Sequence, residues 1–371
     1  MSPRACTVCL LLATFALSGC SDDEGSTGAA ATSAGATART TGATSTSAPT
    51  PSSSGTPVAD SSSGGTPDPC TLTAAAARDC VEKDRYVEDL SFIADIRVPG
   101  SAHWQAVQDL CADRLTDLGY EVDLFEYGSG TNVVGRKVGT NPDGEIVVVG
   151  AHYDHIPECV GADDNATGVS GVLEIARVLA GGTFERTLMV ACWDEEEQGL
   201  LGSIAFVEWA VANAANIAVY FNFDMIGFAS DEPDSQTFPA GIELLFPTQL
   251  AEVEANDNRA DFVVVIADEY AHDEVLALEM HADAVGVPNL VGELSATLKN
   301  DDLVSDLRRS DHAPFWMADI PAIFLSDSAN FRNGAYHCVD GEDTIDSLDH
   351  DFATGIVQAT VGAVVDSLNG L

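Results

Sequence analysis

The chain has 371 residues and a formal net charge of −43, with 59 Asp and Glu against 16 Lys and Arg. Only five of those acids and two of those bases precede Cys70, so the charge belongs to the last 300 residues or so. A surface this acidic repels phosphodiester backbones and argues against nucleic acid as a partner. It fits a saline habitat or simple solubility, and neither names a substrate.

Met1 to Gly19 carries one basic residue, Arg4, and an apolar stretch from Cys6 to Ala16 that is too short to span a bilayer. It reads as a secretory signal, outside the fold. Its last residues, Leu17-Ser18-Gly19-Cys20, resemble the lipobox of bacterial lipoproteins. That resemblance implies cleavage before Cys20, acylation of Cys20 and anchorage to a bacterial membrane, periplasmic or at the cell surface. Several acyl chains, at about 0.8 kcal/mol per buried CH₂, would hold it there durably. The alternative is an ordinary signal peptide with Cys20 incidental. Residues 20–69 are Ser, Thr, Gly, Ala and Pro with almost no large apolar side chain, which cannot offset the entropy of ordering, and predict a disordered tether. Residues 70–371 then form one enzyme-sized α/β domain.

Within that domain helical and strand-like patterns alternate. Apolar residues at helical spacing predict helices over Tyr86–Ile96, Ala102–Leu118, Ala166–Ala180, Asp273–Val285 and Phe352–Leu368, with Gly119 as a stop for the second. Short β-branched runs predict strands at Tyr120–Tyr127, Asn132–Lys137, Glu145–Ala151, Thr187–Trp193, Ile217–Phe223, Asp261–Ile266 and Pro321–Leu325. The expected architecture is a three-layer α/β/α sandwich around a mixed, largely parallel sheet. Six cysteines remain beyond Cys20. Cys192 sits in an apolar strand and reads as a buried thiol, whereas Cys159 and Cys338 lie in loops flanking the residues discussed next and make the preferred disulfide.

Chemistry-bearing residues fall where strands end. The run Ile146–Ala151 leads into His152-Tyr153-Asp154, so His152 projects as the strand finishes and Asp154 is placed to orient its second ring nitrogen. Gly161-Ala162-Asp163-Asp164-Asn165 is a tight loop before a helix, whose acids serve either as an N-cap or as metal donors, Asp163 having two oxygens to share. Asp194-Glu195-Glu196-Glu197 would repel one another unless cations or solvent intervene, and the Gly199-Leu200-Leu201-Gly202-Ser203 that follows implies a packed turn. Asp224 ends another strand, and His312 sits in Ser310-Asp311-His312-Ala313-Pro314. Two histidines and three carboxylates make up the donors that two zinc ions need, with Glu196 as a spare carboxylate beside them.

The Gly-Ala-His-Tyr-Asp, Gly-Ala-Asp-Asp-Asn-Ala-Thr-Gly, Glu-Glu-Gln-Gly-Leu-Leu-Gly-Ser, Asn-Phe-Asp-Met and Ser-Asp-His-Ala-Pro-Phe segments, in that order, resemble the co-catalytic zinc exopeptidases that include bacterial leucyl aminopeptidase and glutamate carboxypeptidase. The resemblance covers about Tyr86 to Leu368. It implies two zinc ions, His152 and Asp224 on one, Glu197 and His312 on the other, Asp163 bridging, Glu196 as general base, a cis Asp163–Asp164 peptide and a peptide substrate. It also implies that the Tyr336-His337 turn lies near the site, where either residue would meet an oxyanion or the substrate. Arg332 is either a grip for a terminal carboxylate, which would favour carboxypeptidase action, or a structural arginine. Two other activities are compatible with such a fold: a single-zinc glutaminyl-cyclase-like acyltransferase, and a non-catalytic binding module, which should have lost donors that are intact here.

Overall fold

The computed structural model describes Cys70, residues 73–142 and residues 144–371. The predicted signal, Cys20 and the tether lie outside the described residues. In chain order the elements are α1 (Ala74–Arg78), α2 (Lys83–Ile93), α3 (Ala102–Asp117), β1 (Glu121–Tyr127), β2 (Gly130–Lys137), β3 (Ile146–His152), α4 (Gly168–Leu179), β4 (Thr187–Trp193), α5 (Leu201–Ala212) and β5 (Ile217–Phe223). They continue with α6 (Ile242–Leu245), α7 (Pro247–Ala255), β6 (Val263–Asp268), α8 (His272–Val285), β7 (Asn289–Leu294), α9 (His312–Met317), β8 (Ala322–Ser326) and α10 (His350–Leu368).

The eight strands form one sheet in the order β1-β2-β4-β3-β5-β8-β6-β7. Its centre is parallel: β3 pairs with β4 and β5, and β5 with β8. Antiparallel pairings join β2 to both β1 and β4, and β6 to β8. Central strands are covered on both faces, which explains their unbroken apolar runs. Val147, Val149, Val190, Cys192, Val219 and Phe221 pack with α2, α3, α4, α8 and α10 on one side. The alternate residues Val148, Met189, Ala191, Trp193 and Tyr220 pack with α5 and α9 on the other. The result is the expected mixed, largely parallel α/β/α sandwich.

Local chemistry explains most element ends. Ser101 caps α3 by accepting from the Trp104 amide, and Gly119, at φ +83°, takes the left-handed turn that releases the chain into β1. Asp349 caps α10 by accepting from the amides of Asp351 and Phe352. Helix α5 escapes the periodicity argument because LGSIAFVEWAVA is apolar nearly all round, and β7 because its edge sequence NLVGEL is only half-buried. Among the described residues there are two disulfides, Cys70–Cys80 and the anticipated Cys159–Cys338, while Cys111 and Cys192 are buried thiols.

Candidate metal centre

The parallel strands β3, β4 and β5 deliver their C-terminal ends side by side, and the site is built there. His152 is the last residue of β3. Its Nδ1 lies 3.2 Å from the Asp154 carbonyl oxygen and 3.5 Å from Asp154 Oδ1, so it is the carbonyl that fixes the ring. The Asp154 carboxylate accepts instead from the amides of Glu196 at 3.0 Å and Glu197 at 3.3 Å, holding the loop after β4 against the end of β3. That arrangement leaves His152 Nε2 buried, without a hydrogen-bond partner, 3.4 Å from Asp164 Oδ1 and 3.7 Å from Asp224 Oδ1.

The four acids after β4 coexist because they diverge. Asp194 accepts from Trp104 Nε1 at 2.8 Å and from the Thr131 amide at 2.9 Å, and Glu195 takes the Ser129 hydroxyl. Only Glu196 and Glu197 enter the site. The packed turn beyond them exists: Gly199 and Leu200 both have positive φ, and a Cβ on Gly202 would lie 2.3 Å from both Asn132 Oδ1 and the Asp194 carbonyl.

In the loop before α4, Asp164 rather than Asp163 joins the site. Asp164 Oδ1 faces His152, and its Oδ2 lies 3.3 Å from His337 Nε2. Asp163 points away, accepting from the Gly227 amide and from Asn333 Nδ2, both at 2.9 Å. The cis peptide correspondingly lies one residue later, at Asp164–Asn165. Arg97, wholly buried, donates to the carbonyls of Val160, Gly161 and Asp164, while the Asp343 carboxylate accepts the amides of Asp163 and Asp164. Neither clamp was legible as a motif, since each residue lies far from the loop in sequence.

The second histidine is also reassigned. His312 opens α9 with its ring stacked on Phe324, centroids 4.5 Å apart, and edge-on to Trp316. Its Nε2 is 2.8 Å from the Leu307 carbonyl, and burial pushes its pKa down to about 4, so it is a neutral core histidine away from the other donors. His337 takes the place expected for it, with Nε2 3.2 Å from Glu197 Oε2. The side chains thus gather as two groups, His152, Glu196 and Asp224, and His155, Asp164 and Glu197, with His337 on the second and Asp164 reaching both. Arg332 is buried over the Phe262 ring, bonded to Gln236 and Phe228, and does not line the groove. Arg309 does, with its guanidinium on Asn330 Oδ1 and the Tyr336 hydroxyl.

This constellation fits cations and is costly without them. Burial, then the charges of Asp224, Asp311 and Glu197, push the Glu196 carboxyl well up. His152 is held well above the usual imidazole range despite burial, by Glu196 and the Asp154, Asp164 and Asp224 carboxylates. Donors about 2.0 to 2.2 Å from a tetrahedral ion stand roughly 3.2 to 3.6 Å apart, which is the spacing of the Asp164 oxygens from His152 and His337 and of Glu197 from His337. Mixed imidazole and carboxylate donors with an orphaned Nε2 suit zinc.

Residues 132–262, which hold six of the seven clustered side chains, match peptidase family M28. The matched segment spans less than half of the chain. The chain is 27% identical over 239 residues to the uncharacterized protein YfbL of Escherichia coli, covering 61% of the chain and 68% of YfbL. It is 34% identical over 138 residues to leucine aminopeptidase 2 of Trichophyton equinum, a match covering 34% of this chain but only 28% of the fungal one. Its fold is similar to that of the Legionella pneumophila LapA aminopeptidase, with a TM-score of 0.62 at 18% identity, covering 80% of this chain and 75% of LapA.

Proposed function

We propose that this chain is a peptidase of the M28 kind, an aminopeptidase that binds two zinc ions and hydrolyses the N-terminal residue from peptides. The observation that carries the reading is the pair of donor groups sharing Asp164 in a groove whose remaining lining is mostly apolar. The groove encloses about 970 Å³, its open mouth included, and runs from Glu196, Asp224 and His337 to Phe238, Ile242, Phe246 and Phe331. His152, Asp164 and Asp224 would hold one ion, and Asp164, Glu197 and His337 the other.

When bound, such ions lower the pKa of a water and polarise the scissile carbonyl. Glu196 lines the groove beside His152 and Asp224 and is assigned to neither ion, which leaves its carboxylate to accept that water's proton and return it to the leaving amine. The Tyr336 hydroxyl already accepts from Arg309, so its own proton remains to be donated to a developing oxyanion. The apolar end of the groove suits a large apolar side chain, and the carboxylates at its head suit a substrate's ammonium group. Carboxypeptidase action is less well supported, because Arg332 is buried and the Arg309 guanidinium is already engaged by Asn330 and Tyr336. A single-zinc acyltransferase would leave one donor group without a purpose.

Export and anchorage through Cys20 belong to the same proposal, supported by two disulfides, which persist in oxidising compartments. Among the described residues no helix is long and apolar enough to cross a membrane. The test is zinc content measured together with hydrolysis of an aminoacyl-anilide panel and matched carboxypeptidase substrates. Two zinc per chain with chelator-sensitive release of apolar N-terminal residues is expected. One zinc with cyclisation of N-terminal Gln, or no metal, overturns the reading.

A further inference from the structure

His155 belongs to the second donor group, yet no ion is assigned to it above. It is 1% exposed, and neither ring nitrogen has a hydrogen-bond partner. An imidazole buried with both nitrogens unsatisfied is costly and needs an explanation. Nδ1 stands 2.9 Å from Glu197 Oε1, an oxygen that is itself buried and unpartnered. The two atoms are close enough for a hydrogen bond but not aligned for one. His155, Asp164 and Glu197 each bring a possible ligand atom within 4.8 Å of the others, so a cation among them would be within reach of all three.

The surroundings hold the ring there. Its backbone amide donates to the Arg97 carbonyl, and the same arginine's guanidinium clamps the Asp164 loop. Gly161, at φ +63°, leaves room for it: a Cβ at that position would lie 2.4 Å from His155 Cδ2. The His155 and His337 rings face each other edge-on at 5.9 Å, and the Cys159–Cys338 disulfide ties together the two loops that carry them.

We infer that His155 is a fourth protein donor to the ion held by Asp164, Glu197 and His337. This rests on the two-metal reading and deepens it. The second position then has two imidazoles and two carboxylates, a filled tetrahedral set, whereas His152, Asp164 and Asp224 supply three donors to the first. A closed set retains its ion and an open one leaves a place for water or substrate. The two positions should therefore differ in affinity, the first exchanging its ion more readily.

The test is titration of the metal-free full-length protein with Co²⁺ alone, read by its visible absorption, for wild type, His155→Ala and His155→Cys. Wild type should take up two ions in two resolvable steps. His155→Ala should weaken one step by about tenfold or more and change the visible band at saturation. His155→Cys should add a thiolate-to-cobalt charge-transfer band in the near ultraviolet. An unchanged isotherm and spectrum in His155→Ala, with no new band in His155→Cys, overturns the inference while leaving the two-metal reading intact. So does a weakened step with an unaltered saturated spectrum, which would make His155 a support for Glu197 and not a donor. Fewer than two ions in the wild type removes the two-metal reading and this inference with it.

Discussion

Adjacent acids in this site have unrelated surroundings, and single substitutions should separate them. Glu197 places its two oxygens against His155 and His337, whereas Glu196 presents its carboxyl to the groove. Glu196→Gln should keep the full metal content and lose turnover by about a hundredfold or more. Near-normal turnover would remove its role as base. The Asp163–Asp164 pair makes the complementary case. Asp164→Asn should lower metal content, because both its oxygens face histidines, while Asp163→Asn should leave metal content unchanged and act through its bonds to Gly227 and Asn333. Equal metal loss in the two variants would sink the assignment of Asp164. His312→Ala should retain the metals yet destabilise by about 2 to 4 kcal/mol, as for other buried aromatic truncations. For His337→Ala the expected pattern is the reverse, lost metal with a smaller cost to the metal-free fold.

At the scale of elements, the strand ends place the donors and the loops aim them. His152 and Asp224 sit on or directly after parallel neighbours β3 and β5, and their separation follows from the sheet. His155 and His337 depend on loops, and those loops are tied by Cys159–Cys338, a bond closing 179 residues of sequence separation. Cys159→Ser with Cys338→Ser should therefore cost about 2 to 4 kcal/mol in unfolding free energy. It should also weaken one of the two cobalt steps more than the other, because Cys338 follows His337 directly. Two steps weakened alike would show that the disulfide stabilises the fold without positioning the second donor group.

The whole molecule concentrates charge that burial opposes. Burial pushes the Asp311 and Asp343 carboxyls up to about 7, and those of Asp194 and Asp327 up to about 6. Each keeps in the folded chain a proton that the unfolded chain releases near its ordinary value of 3.8. That stabilisation is complete below about pH 4 and is lost as pH rises through 6 and 7. His312, pushed down to about 4, works in the opposite sense up to its ordinary 6.5, but it is one group against four. The chelated protein should accordingly melt several degrees lower at pH 7.5 than at pH 5.5. Zinc should restore most at the higher pH, where its donors are deprotonated. A melting point that climbs over that interval in the chelated protein would contradict the balance.

The sequence by itself determined the fold class and the strand ends that carry the chemistry, and it singled out four side chains that the structure brings together (His152, Glu196, Glu197 and Asp224) and the preferred Cys159–Cys338 pair. Each is tied to a local signal: an apolar run ending at a polar residue, a packed turn after an acidic run, cysteines in loops beside the site. The tertiary structure alone decided between Asp163 and Asp164, because a tight loop has no periodicity to say which side chain turns inward. It also decided between His312 and His337. His312 follows an acid at a helix start, as a donor might, but its ring lies among Phe324 and Trp316, whereas His337 reaches Asp164 only through a loop in left-handed conformation. His155, four residues before Cys159, gains its significance from an unpaired nitrogen beside Glu197, a relation across 42 residues of chain that no local pattern encodes.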